Sequence, residues 1–210
     1  MVDTKISALT AASLVAAANE FPINEAGVNK KVSASQIAAY IKAASGVNNA
    51  SVAQQTGFSA DTYLVGSSLA IPTNIQAKTI YKCQFNVVKT AAGTATPIIN
   101  IRFGTAGSTA DTSRGTLTFS AQTGVVDEGV FELDAIFRVV GASAILQSLG
   151  QLSHRLSITG LGTGVSEPEI ATSGTFNSAV ANSIIGVSVN GGTSAAWTIE
   201  FVRAELLNLS

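Results

Sequence analysis

Glu132 and Asp134, two positions apart, are the residues of this 210-residue chain best spaced for acid–base chemistry. On one face of an extended strand, their carboxyl groups would stand within the roughly 5 to 9 Å that glycoside hydrolysis asks of its two carboxylates. Outward strand faces also carry such charges for solubility and edge protection, and that is the plainer reading. An aromatic content of 6% offers little for an enclosing, ring-stacked cleft. The single histidine, His154, alternates with Leu152, Leu156 and Ile158, which places it on an inward face. No Gly-x-Ser-x-Gly elbow surrounds a serine, so His154 reads as a core or subunit-interface histidine.

One histidine and one cysteine build neither a multi-histidine nor a cysteine-based metal site. Cys83 falls in a strand pattern and reads as a buried, inert thiol. Asp111 and Arg114, in a long loop, can pair with each other or with a neighbouring subunit, as can the acids of Glu167-Pro-Glu169; neither group has calcium-loop spacing. Gly160-Leu-Gly-Thr-Gly164 lacks the lysine of a phosphate-binding loop and opens no helix, so it is a turn. No catalytic residue, cofactor or metal is expected.

The elements that would position these residues are strands. Tyr81, Cys83, Phe85 and Val87 alternate with Lys82, Gln84 and Asn86, the pattern of a strand buried on one side. The same period runs through Ile99–Phe103, Leu117–Phe119, Phe131–Val139 and Leu152–Ile158. Asn190-Gly-Gly192, between Ile185/Val187/Val189 and Trp197/Ile199/Phe201, signals a hairpin. Arg203 and Glu205 break the last inward register, which predicts a bulge or a strand that changes sheets. About eight antiparallel strands follow, enough for a jelly-roll-like β-sandwich over residues 61–210. The Ser-, Asn-, Gln- and Gly-rich stretch 46–60 reads as a linker.

Residues 1–45 read as a separate unit. Phe21-Pro-Ile23 and Val28–Val32 form two short extended pieces around a turn at Gly27. Ser33 with Gln36 makes a capping box, and Ile37, Tyr40, Ile41 and Ala44 follow at helical spacing. Such a hairpin-and-helix is too small to enclose a core and must dock onto something. It is read as an attachment device whose contact residues are Phe21, Ile23, Val28, Lys30, Lys31, Val32, Ile37, Tyr40 and Ile41.

The run Lys5-Ile-Ser-Ala-Leu9, Glu20-Phe-Pro-Ile23, Gly27-Val-Asn-Lys-Lys-Val-Ser33 and Gln36-Ile37 resembles the N-terminal segment of many tailed-bacteriophage virion proteins. Thr105–Arg114 is similar to loops in phage structural proteins of the same broad type. The resemblance covers roughly the first fifth of the chain. It implies a tail fibre, head fibre or capsid decoration protein, assembled in the bacterial host and carried on the virion. It also implies a homotrimer anchored to a capsid or tail protein.

Composition agrees with self-association. Charged residues make up 12% of the chain, against the ~25% usual in soluble proteins, and mean hydropathy is +0.36. Weakly charged faces of Ala, Thr and Ser are suited to burial between subunits. A net charge of −1 leaves no basic footprint for nucleic acid. No apolar run approaches the ~20 residues of a membrane span, and Asp3 and the diluted run Ala8–Ala18 argue against an export signal. Two rivals differ in class. One is a receptor-binding module whose loops 104–115 and 160–174 grip a host surface glycan; the other is a glycan-cleaving enzyme built on Glu132 and Asp134.

Overall fold

The computed structural model describes residues 20–25, 27–37, 47–73, 75–164 and 166–207. The chain divides into two compact units, Met1–Ser45 and Gly46–Ser210. In the first, β1 (Glu20–Glu25) and β2 (Val28–Ser33) form an antiparallel hairpin. Gly27 takes φ +82°, the left-handed conformation a tight turn requires. Residues 34–37 begin a helix whose cap is the reciprocal one the sequence predicts: Gln36 N–H donates to Ser33 Oγ (3.2 Å), and Ser33 N–H donates to Gln36 Oε1 (2.8 Å). Tyr40 and Ile41 lie outside the described residues.

The second unit is a sandwich of an eight-stranded and a five-stranded sheet. Its strands in chain order are β3 (Val47–Ser51), β4 (Gln55–Thr56), β5 (Thr62–Tyr63), β6 (Leu69–Ala70), β7 (Ile80–Lys89), β8 (Ile98–Gly104) and β9 (Thr112–Thr118). They continue as β10 (Asp127–Val139), β11 (Ile145–His154), β12 (Ser166–Thr172), β13 (Ile184–Asn190), β14 (Trp197–Ile199) and β15 (Val202–Leu207). In the larger sheet, β12, β11, β10 and β7 lie side by side, and β7 then pairs with both β14 and β15, which pair outward with β4 and β3. The smaller sheet runs β5/β6, β13, β8, β9. Successive strands therefore cross between sheets, from β3/β4 to β5/β6, to β7, to β8 and β9, back to β10, and finally from β13 to β14/β15. This is jelly-roll connectivity, with the β11–β12 hairpin added at one edge of the larger sheet.

The core is what the alternation predicts. Tyr81, Cys83, Phe85, Val87, Ile99, Ile101, Phe103, Leu117, Phe131, Leu133, Ala135 and Phe137 are all buried. Phe131 lies at its centre, stacked on Phe85 (5.1 Å), edge-on to Phe119 (5.0 Å) and against Trp197 (5.5 Å). The Trp197 indole N–H donates to Gln122 Oε1 (2.7 Å), so the ring is buried without an orphaned donor.

Several expectations are corrected. The stretch 46–60 is no linker: β3 pairs along β15, β4 pairs with β14, and Phe58 is buried in the core. A polar strand suffices there because an edge partner needs backbone hydrogen bonds more than side chains. β13 and β14 do not form a hairpin, since they belong to different sheets and Asn190-Gly-Gly192 carries the chain across the sandwich. The inward register of β10 ends at Phe137, because a register shift turns Val139 outward to 43% exposure. β11 starts earlier and ends at His154, which leaves Ile158 exposed. Glu167-Pro-Glu169 lies in β12, an edge strand on which a proline is tolerated. The break before Arg203 is a bulge within one sheet, where Asn86 Oδ1 accepts from the N–H groups of Glu200 (3.0 Å) and Phe201 (2.8 Å).

Candidate functional site

The hairpin register sets the attachment residues opposite one another: Phe21 faces Val32, Pro22 faces Lys31, Ile23 faces Lys30 and Glu25 faces Val28. Phe21 is 40% exposed, large for an aromatic ring, while Val32 and Ile37 are partly buried. Lys31 pairs with Glu20 at 2.8 Å, both well exposed. A two-stranded hairpin is marginal on its own.

Glu132 and Asp134 lie on the outward face of the larger sheet, in a shallow depression of about 210 Å³ lined by Lys82, Gln84, Gln151, Arg203 and Glu205. The register builds two cross-strand rows, Glu205–Lys82–Asp134 and Arg203–Gln84–Glu132. Gln84 Nε2 donates to Glu132 (2.8 Å), Lys82 stands 3.7 Å from Asp134, and Arg203 stands 3.7 Å from Glu205. Both carboxylates approach from one side of an open sheet, whereas glycoside hydrolysis places them on opposite sides of the scissile bond. The arrangement is an alternating charge ladder of the kind that supports strand pairing.

The His154 side chain is fully buried, as its parity predicts. Its Nδ1 is 2.7 Å from Asp127 Oδ2, and its Nε2 is 2.6 Å from the Gly164 carbonyl. A carbonyl only accepts, so Nε2 carries a proton and is committed to the loop, with no lone pair to offer a substrate. Asp127 also accepts from the N–H groups of Glu128 (2.9 Å), Leu161 (3.0 Å) and Leu156 (3.3 Å). Burial pushes its pKa up, but these hydrogen bonds and the His154 partner outweigh that and hold it below the ordinary carboxylate value.

Glu167 clamps the same loop, accepting from Ser120 N–H (2.9 Å), Thr163 N–H (2.8 Å), Gly164 N–H (2.9 Å) and the Ser120 hydroxyl. Its pKa is also lowered, burial being overcome by those donors. Lys89, directly across from Asp127 in the register, donates to the carbonyls of Thr90 (2.9 Å), Thr123 (2.7 Å) and Val125 (3.1 Å). Gly160 completes the lock: it takes φ +93°, and a Cβ there would lie 2.3 Å from an Asp127 oxygen. The turn 160–164 is thus fastened by Asp127 and Glu167, and Lys89 ties down the neighbouring loop at Thr123 and Val125; of these, Asp127 and Lys89 are not among the residues the sequence singles out. Strand parity carries the signal, since Lys89 continues the inward series of β7 and Asp127 that of β10.

Among the remaining residues singled out in the sequence, Cys83 is buried and its thiol pKa is pushed up to about 12 by burial, with the Tyr81 hydrogen bond opposing. Asp111 and Arg114 do not pair. The Asp111 carboxylate accepts from Ala106 N–H (2.9 Å) and Gly107 N–H (2.7 Å), and the Arg114 guanidinium lies 4.7 Å over the Phe176 ring. The described residues contain no group of three or more His, Cys, Asp or Glu placed to hold a metal ion, and no helix among them is long and apolar enough to cross a membrane.

No protein-family model matches the chain, and no curated protein matches it. Among solved structures it is similar to the CBM2 module of the evolved Dit of Lactobacillus casei BL23 phage J-1. The identity is 11% and the TM-score 0.27, over 68% of this chain and 69% of that one.

Proposed function

We propose that this chain is a non-enzymatic bacteriophage virion structural protein, of the tail-fibre, head-fibre or capsid-decoration kind. Its N-terminal unit binds a capsid or tail protein, and the jelly-roll body assembles as a homotrimer. The observation that carries the reading is the division of labour along the chain. Residues up to Ser45 form a compact unit of their own, built on a two-stranded hairpin that leaves Phe21 in water. The jelly roll from Val47 onward closes its own core, and its buried charges are spent on fastening loops. The phage-like N-terminal run supplies the particle, and the low charge supplies the reason to associate.

The test is incorporation. Deletion of residues 2–45 leaves β3 intact, so the truncated chain stays folded and oligomeric but no longer joins virions assembled in its presence. Phe21→Asp in the full chain does the same without truncation. Truncated protein that still co-sediments with particles, or an unmodified chain that is a monodisperse monomer, overturns the proposal.

A further inference from the structure

At the end of the sandwich formed by the loop after β8 and the loop before β13 lies an open cleft of about 290 Å³, lined by Thr105, Asp111, Thr112, Arg114, Asn177 and Val180 among others. Arg114 reaches it through a β-bulge. Ile101 pairs with Gly115 and Arg102 with Ser113, which leaves Arg114 as the extra residue of β9, and such insertions re-aim a side chain. Its guanidinium stacks on Phe176, and its Nε is buried with no hydrogen-bond partner. The two more deeply held cations of this body, Arg102 and Lys89, are both paired. Arg102 donates to Ser188, Thr109, Asp111 and Asp61, and Lys89 to three carbonyls. The buried Arg114 donor costs about 1–3 kcal/mol, and among the described residues its guanidinium has the Phe176 ring as its partner and no carboxylate, so its charge at the cleft is unpaired.

The walls are rigid before any ligand arrives. Asp111 pins the backbone at Ala106 and Gly107, and Asn177 Oδ1 accepts from Ala179 N–H (2.9 Å). Ser183 Oγ donates to the Val180 carbonyl (2.6 Å), closing the same wall. Pre-organised walls lower the ordering cost of binding. We infer that this cleft binds the carboxylate of an acidic sugar, with the Arg114 fork taking the carboxylate while Thr105, Thr112 and the Asn177 amide meet ring hydroxyls. A single guanidinium beside an acidic side chain matches one negative charge better than the two of a phosphate. The volume accommodates one sugar ring. The site stands independently of which particle the chain joins.

Titrating the unmodified full-length protein with glucuronate tests this, read by calorimetry and by amide shifts of Thr105 and Asn177. Saturable binding with a Kd on the order of 1 mM or tighter is expected, with glucose, inorganic phosphate and an N-acetylated dipeptide acid each at least tenfold weaker. Arg114→Gln lowers the glucuronate affinity roughly ten- to hundredfold. Should that variant fail to fold, Asn177→Asp keeps the acceptor for Ala179 N–H while adding a repelling charge, and it lowers the affinity likewise. Absence of saturation by glucuronate, equal binding of phosphate or of the dipeptide acid, or undiminished binding by either folded variant overturns the inference.

Discussion

Asp127→Asn puts the most weight on the buried polar lock. The substitution keeps the size of the side chain but turns one carboxylate oxygen into an NH₂ group. His154 can answer by accepting at Nδ1, keeping its Nε2 proton on Gly164, but Leu161 N–H, which donates to Asp127 Oδ2, then faces a donor. Leu161 is fully buried, so no water replaces the lost acceptor. An unsatisfied buried N–H costs about 1–3 kcal/mol, and a hydrogen bond to a charged group contributes about 1.5–3 kcal/mol. A loss near 3 kcal/mol lowers the melting temperature of a chain this size by roughly 6–12 °C. Urea unfolding followed by the fluorescence of the buried Trp197 measures it. The pH dependence follows from the sign of the shift. The folded pKa of Asp127 lies below its ordinary value of 3.8, so its contribution is fully present above that value and is lost as pH falls through the folded one. The gap between wild type and variant is therefore flat at neutral pH and closes below about pH 4. A variant as stable as wild type at pH 7, or a gap that stays constant down to pH 2, would refute the assignment of Asp127 as the keystone of the turn.

Phe58→Ala separates the two readings of the stretch after residue 45. In a linker it would be silent, but with Phe58 in the core it costs about 3–5 kcal/mol, measurable by the same unfolding curve. Cys83, with its thiol pKa raised to about 12, stays unlabelled by an aromatic disulfide reagent at pH 8 in the native protein and reacts once the chain is unfolded in urea. Rapid native labelling would mean that β7 opens locally. Acid unfolding begins near pH 4.5 and steepens below 4, because the lowered pKa values of Glu167 and Asp127 both withdraw stability in that window. A melting temperature unchanged between pH 5 and pH 3 would count against both carboxylates as clamps.

Much of the sandwich is legible along the chain. A strand with one wet face must alternate, so the inward residues of β7, β8 and β10 can be read off by parity as far as Phe137, and the same parity carries Lys89, Asp127 and His154 inward at one end. The cap at Ser33 and Gln36 and the turn at Gly27 are legible for a related reason, since they satisfy their own backbone within a few residues. Strands that lean on neighbours far away show no such pattern. β3 is held by β15, some 150 residues on, and β12 tolerates Pro168 because no strand among the described residues pairs with its far edge. Their stability comes from the partner rather than from their own residues.

By itself, then, the sequence determined that the body is a two-layered β structure, which residues fill its core, and that a distinct capped unit precedes it, because period, parity and capping are local. Which sheet each strand joins was decided only by the tertiary structure. Inward parity is the same for both layers of a sandwich that share one core, so Asn190-Gly-Gly192 looks like a hairpin whether the chain turns back or crosses over. The polar constellations belong to the same class. Asp127 with Leu161, Glu167 with Ser120, and the unpaired Arg114 against Phe176 are brought together by loops distant in sequence, and their chemistry exists only once the jelly roll has closed.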